Sequence, residues 1–132
     1  MSWSELEIAV GDLSGTLTLP ATGRPGPAAL IWPGSGPVDR DGNLPGARSN
    51  ALRQLAHRLA EAGIATLRVD KRGVGESRAA ATREEDLTIG TYVADAVSWI
   101  DRLEAEPAVS RVALIGHSEG ALVMTLAALQ RR

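Results

Sequence analysis

The sequence predicts an α/β fold: a mostly parallel sheet with helices on both faces, entered through an antiparallel hairpin. Three observations carry this. Three short apolar runs, Ala28–Trp32, Ile64–Val69 and Arg111–Ile115, have the character of strands buried on both faces. Each run is followed by a stretch of helical period, so strand and helix alternate three times, which implies right-handed crossovers. Ahead of them, residues 5–10 and 13–19 alternate apolar and polar around Gly11-Asp12, the pattern of a hairpin.

In the hairpin, Leu6, Ile8 and Val10 share one side, and Glu5, Glu7 and Ala9 the other. Leu13, Leu17 and Leu19 continue the apolar set beyond the turn. Ala21–Pro27 is a Pro/Gly loop. Pro33 ends the first buried run, and the polar, Gly-rich stretch Gly34–Ser49 has no period. A loop of that length is usually functional or disordered. Asn50 is placed to cap a helix over 51–62, with Leu52, Leu55, Ala56, Leu59 and Ala60 as its stripe and Gly63 as its stop. His57 falls on the polar side of that helix, which predicts a solvated ring. After the second buried run, Asp70–Ala81 is a loop rich in glycine and charge. A helix from about Thr88 to Glu104 places Ile89, Val93, Ala96, Val97, Ile100 and Leu103 on one face. Gly116 begins a sharp turn after the third run, and Ser118–Gln130 reads as the last helix. With no repeat or linker in 132 residues, one domain is expected.

Composition narrows the function. The formal net charge of −2 carries no nucleic-acid footprint. Zero cysteines and two histidines, His57 and His117, exclude disulfides, iron–sulfur clusters and Cys- or His-rich metal sites. The first residues lack the basic and apolar regions of a signal peptide. No apolar run approaches the ~18–20 residues of a membrane span. The expectation is a cytoplasmic chain with no nucleic-acid or membrane partner.

Three loops at the ends of the buried runs carry the chemistry. Gly116-His117-Ser118-Glu119-Gly120 is a G-x-S-x-G string that follows a strand and opens a helix, the setting of a nucleophile elbow. There the turn forces Ser118 into a strained conformation, Gly116 and Gly120 leave room for neighbouring backbone, and the hydroxyl stands above the sheet at the positive end of a helix. His117 should pack under the loop or shape the turn. The stretch Trp32-Pro33-Gly34-Ser35-Gly36-Pro37 is bare enough to offer backbone donors to an oxyanion, from Ser35 or Gly36, with Glu119 supplying the other N–H. In Asp70-Lys71-Arg72-Gly73-Val74-Gly75-Glu76-Ser77, the Gly73-Val74-Gly75 step invites a phosphate-loop reading. Arg78 stands where the third glycine would be needed, so nucleotide binding is disfavoured. A bracing role fits better: Asp70 and Arg72 are expected to pair with Arg40, Asp39 or Asp41 and hold the shape of the oxyanion loop.

These motifs, with the loop after the first apolar run taken as Gly34-Ser35-Gly36-Pro37-Val38-Asp39-Arg40-Asp41-Gly42-Asn43, resemble bacterial α/β-hydrolase-fold enzymes of the serine-aminopeptidase-like and dienelactone-hydrolase-like type. The resemblance covers nearly the whole chain. It implies an acyl-ester hydrolase with a Ser–His–Asp/Glu triad, Ser118 as nucleophile, no metal, no organic cofactor and a small-molecule ester as substrate. Trp32-Pro33 departs from the His-Gly common before the oxyanion residue, which matters little for backbone donors.

In this fold the triad runs Ser, then Asp/Glu, then His. After Ser118 the sequence offers Glu119 as its one acid and no histidine. The family has eight strands and five are legible here, so the chain reads as the N-terminal, C-terminally truncated part of the domain, with triad acid and His outside it. A serine without its base is a poor nucleophile, so activity in this chain alone is doubtful. The third apolar run would then be an open sheet edge that invites self-association or a complementing chain.

Overall fold

The structure, a computed structural model, describes residues 2–131. The alternating hairpin residues form β1 (Trp3–Val10) and β2 (Leu13–Pro20), paired antiparallel from Trp3↔Pro20 to Val10↔Leu13. The apolar runs form β3 (Gly26–Trp32), β4 (Ala65–Val69) and β5 (Val109–Gly116). The sheet order is β1-β2-β4-β3-β5. β4 lies parallel to β3, and β3 parallel to β5, as the alternation of strand and helix implies. β3 starts two residues earlier than its apolar run. Pro27 is accommodated because the β3–β5 register shifts between Gly26 and Pro27, where no regular ladder bond is required.

Alternation sorts the side chains to two faces. Leu17, Leu30, Trp32, Leu67 and Val69 point to one face, where α2 (Ile89–Glu104) and α3 (Glu119–Gln130) cover them. Trp99 and Leu103 of α2 and Val123 and Ala127 of α3 close that core. Ile31 points to the opposite face, under Leu52 and Ala56 of α1 (Ala51–Glu61). Helices therefore lie on both faces, as expected. Burial of a side chain such as Leu17 or Leu67 contributes ~1.5–3 kcal/mol. Among the described residues, no helix is long and apolar enough to cross a membrane.

The hairpin half of the α1 face is polar. Thr16, Thr18, Thr66 and Arg68 are buried there, and Glu5 and Glu7 of β1 reach over them. Arg68 donates to Asp41 at 2.6 Å and to Glu5 at 2.8 Å, leaving its Nε and the Thr66 hydroxyl without a partner among the described residues.

Two local expectations are corrected. Asn50 does not cap α1 with its side chain; it sits in the left-handed region at φ 54. Its Oδ1 instead accepts from Asn43 Nδ2 at 2.7 Å, and its N–H donates to Asn43 Oδ1 at 2.8 Å. The pair ties the long loop to the start of the helix. His57 is not a solvated ring: it stacks on Trp3 with centroids 4.5 Å apart and contacts Glu5 Oε2 at 3.1 Å. The polar side of α1 faces the hairpin rather than water alone, which the helix period could not reveal. A 3₁₀ segment, Gly75–Ala80, also forms inside the stretch that reads as loop and buries Ser77 and Ala80.

Candidate active site

Ser118 stands between β5 and α3 with φ 56 and ψ −121, outside the regions an L residue favours. Such a conformation costs on the order of 1–3 kcal/mol and persists only where the surroundings impose it. Here they do. The His117 N–H donates to Trp32 O at 3.1 Å, while the Gly120 and Ala121 N–H groups donate to His117 O and Ser118 O at 2.9 Å. Ser118 is exposed at this bend.

The two flanking glycines are sterically required. A Cβ on Gly116 would lie 2.3 Å from Gly120 O, and one on Gly120 would lie 2.5 Å from Trp32 O. The strand, the turn and the end of β3 therefore meet backbone to backbone. His117 is not packed under the loop: its side chain is exposed, and its contribution to the turn is made by its main chain.

The loop after β3 passes directly beside the elbow. A Cβ on Gly34 would be 3.3 Å from His117 Nδ1 and 3.5 Å from Ser118 Cβ. The N–H groups of Ser35, Gly36 and Glu119 donate to no acceptor among the described residues. A cavity of about 420 Å³ opens at Ser118, lined by Gly34, Ser35, Val38, Leu44, Leu52 and His117. A second, of about 590 Å³, lies across Ser35 toward Arg72, Leu87, Tyr92 and Glu119. The two cavities meet at Ser35: Ser118 lines the first, Gly36 and Glu119 the second.

Asp70 pairs with Arg40 of the loop after β3. Its Oδ1 accepts from the Arg40 N–H at 2.7 Å, and its Oδ2 from Arg40 Nη2 at 2.8 Å and the Glu76 N–H at 2.9 Å. Arg40 is itself buried and also reaches Glu7, Thr16 and Ser14. Gly73 and Gly75 carry φ 81 and 52, and a Cβ on Gly75 would strike the Asp70 carboxylate at 2.6 Å. Arg72 is a correction: it pairs with Asp95 of α2 at 2.8 and 3.0 Å and with Ala80 O, not with the loop after β3. That anchors the Asp70 loop to α2 instead.

Lys71, not Arg72, reaches the loop after β3. Its Nζ donates to Gly34 O at 2.6 Å and to Gly36 O at 2.8 Å. The residue is 2 % exposed, and burial pushes its pKa below the usual lysine value. Sequence reasoning passed over it because a lysine in a charged, Gly-rich loop reads as solvated.

No side chain among the described residues hydrogen-bonds the Ser118 hydroxyl. His57 is engaged at the hairpin, remote in role from the elbow. Among the described residues, no three His, Asp or Glu side chains converge as a metal site would require.

Solved structures with this arrangement are α/β hydrolases. The dienelactone hydrolase of Anabaena variabilis superposes with a TM-score of 0.71 at 28 % identity, covering 98 % of this chain and 58 % of its own. Est1E of Butyrivibrio proteoclasticus, solved with ferulic acid, shares the fold with a TM-score of 0.72 at 23 % identity, over 96 % of this chain and 48 % of its own. The five strands and three helices are therefore part of an α/β-hydrolase fold. The family described as serine aminopeptidase, S33, matches residues 46–132, and the chain belongs to it. Esterase EstD of Thermotoga maritima is 32 % identical over 122 residues, which are 92 % of this chain and 28 % of the esterase. The chain thus spans from under a third to somewhat over half of these relatives' lengths.

Proposed function

We propose that this chain carries the nucleophile and oxyanion half of a serine hydrolase acting on carboxylic esters or thioesters. The observation that carries the reading is Ser118 at positive φ, wedged between Gly116 and Gly120, with the unpaired amide of Ser35 on its cavity and those of Gly36 and Glu119 on the cavity that adjoins it at Ser35. In this reading Ser118 Oγ bonds to the acyl carbon and its proton passes to a base. The carbonyl oxygen gathers negative charge, which the amides of Ser35 or Gly36 and of Glu119 stabilise. Collapse expels the alcohol or thiol, and water then releases the acid and restores the serine. Each such donor contributes ~2.7–4 kcal/mol to the transition state. The esterase relative favours ester over peptide substrates, the alternative within the same fold.

The acid and histidine of the triad are expected outside residues 1–132, which leaves this chain alone weakly active or inactive. Oxyanion stabilisation and binding without the full triad are worth at most ~10³–10⁴-fold over water. A second reading rests on the outer edge of β5, which pairs with no strand among the described residues. A second copy or another chain aligned there supplies the acid and the histidine.

Labelling by a fluorophosphonate, followed by peptide mass mapping, tests the assignment. Modification at Ser118, lost in Ser118→Ala, is expected. No modification, or one that survives Ser118→Ala, overturns it.

A further inference from the structure

Buried charge is placed with cause, because an ammonium removed from water without a carboxylate partner is costly. Lys71 is such a group. It makes no ion pair among the described residues, and its two acceptors are main-chain carbonyls on either side of Ser35. The third neighbour is the Tyr92 ring of α2, with Nζ 5.4 Å from its centroid, at the outer limit of a cation–π contact. Arg40 and Arg72, the other cations around these loops, are each satisfied by a carboxylate fork.

The geometry has a direct consequence for the backbone. A peptide is planar, so turning the carbonyl of Gly34 toward Lys71 turns the N–H of Ser35 the opposite way. The Gly36 carbonyl, held by the same ammonium, fixes the far side of the turn. Its next peptide, to Pro37, carries no N–H, so the amide oriented in this way is that of Ser35, which has no acceptor among the described residues and lines the cavity at Ser118.

We propose that Lys71 is the positioning residue of the oxyanion loop: its ammonium holds the Gly34 and Gly36 carbonyls on either side of Ser35 and thereby presents the Ser35 amide toward Ser118. This rests on the reading of Gly34–Gly36 as that loop. Lys71 touches no reacting atom; it acts through the peptide planes, and its charge adds to the positive field under the developing oxyanion. A lysine suits the place because a compact charge with rotatable donors fits two converging carbonyls, where the planar arginine fork does not. The charged or titratable groups facing it are Glu119 from α3 and Tyr92 from α2. Its chain neighbours Asp70 and Arg72 are turned to Arg40 and Asp95.

Two measurements on this chain test it. The first is carbon-detected NMR correlating the Gly34 carbonyl with the Ser35 nitrogen, and the Gly36 carbonyl with the Pro37 nitrogen, as pH is raised. Lys71 is the only lysine, so its side-chain signal is read without assignment ambiguity. Both loop correlations should shift with the midpoint of Lys71, while those of Leu103 and Val123 stay fixed. Loop correlations that stay flat through the Lys71 midpoint overturn the proposal. The second is the rate of fluorophosphonate capture at Ser118 in the native chain and in Lys71→Met. The native chain should react roughly tenfold faster or more near neutral pH, as expected for a disturbed oxyanion donor. That ratio should fall toward one above the Lys71 midpoint. A ratio that does not vary with pH, or equals one throughout, overturns the proposal. If Lys71→Met does not fold, or if the native chain is not captured, the NMR titration decides Lys71. The missing capture counts against Ser118 alone.

Discussion

At the residue scale, the elbow is a steric construction, and its parts respond differently to change. Gly116→Ala places a methyl 2.3 Å from a carbonyl of rigid backbone, so nothing flexible can yield. A loss of ~1–3 kcal/mol is expected, read as a lower urea midpoint at unchanged slope. Asp70→Asn should cost more, about 3–5 kcal/mol, because it removes the buried one of the two carboxylates on Arg40 and leaves only the exposed Glu7, in a site where the Asp70 side chain is 3 % exposed. Adding Arg40→Met should recover part of that loss in a double-mutant cycle. Glu5 sets an acid limit. Burial raises its pKa, but hydrogen bonds from Thr18 and His57 and the charge of Arg68 outweigh this and hold it below the usual carboxylate value. Its stabilisation is therefore complete above the unfolded-state pKa and disappears as pH falls through the lower folded one. Glu5→Gln should flatten the acid limb of stability against pH in denaturation titrations.

The serine, its glycines and the Asp70 brace were legible in sequence because each depends on residues within a few positions or on a loop of fixed place. The partner of Arg72 was not legible. Asp95 lies 23 positions away on α2, and which of several acids meets Arg72 depends on how that helix packs.

At the element scale, strands and helices followed from period, whereas their attachments did not. α2 begins at a capping box between Thr88 and Thr91, close to where its apolar stripe starts. α1 is attached differently, by the side-chain and backbone bonds between Asn43 and Asn50 across the long loop. That loop has no apolar period for a sequence reading to grip; its order comes from polar contacts. The Asp39 carboxylate, for example, accepts from the Asp41 and Asn43 N–H groups. Asn43→Ala should loosen the α1 entry and the rim of the Ser118 cavity together. A cost of about 1–3 kcal/mol is expected, with faster hydrogen exchange at Asn50 and Ala51 than in α2.

At the scale of the whole molecule, the sheet is covered unevenly. β1 ends it on one side as part of a hairpin, and β5 ends it on the other, where it pairs with no further strand among the described residues. α3 is apolar around much of its circumference, and Leu122 and Leu129 are 48 % and 58 % exposed. If a second chain completes the sheet at β5, Ala113→Lys on that exposed edge should abolish the association. The sedimentation coefficient would fall to the monomer value while far-ultraviolet circular dichroism stays unchanged. One more property follows from Lys71. The chain's single side-chain primary amine is sealed under the loop that surrounds Ser118, and its other cationic side chains are guanidinium groups. An amine-acylating reagent can reach that nitrogen only during moments when the loop lifts. The slow rate of its acylation, set against that of free lysine, is a clock for the loop's own opening, built into the chain without any added probe.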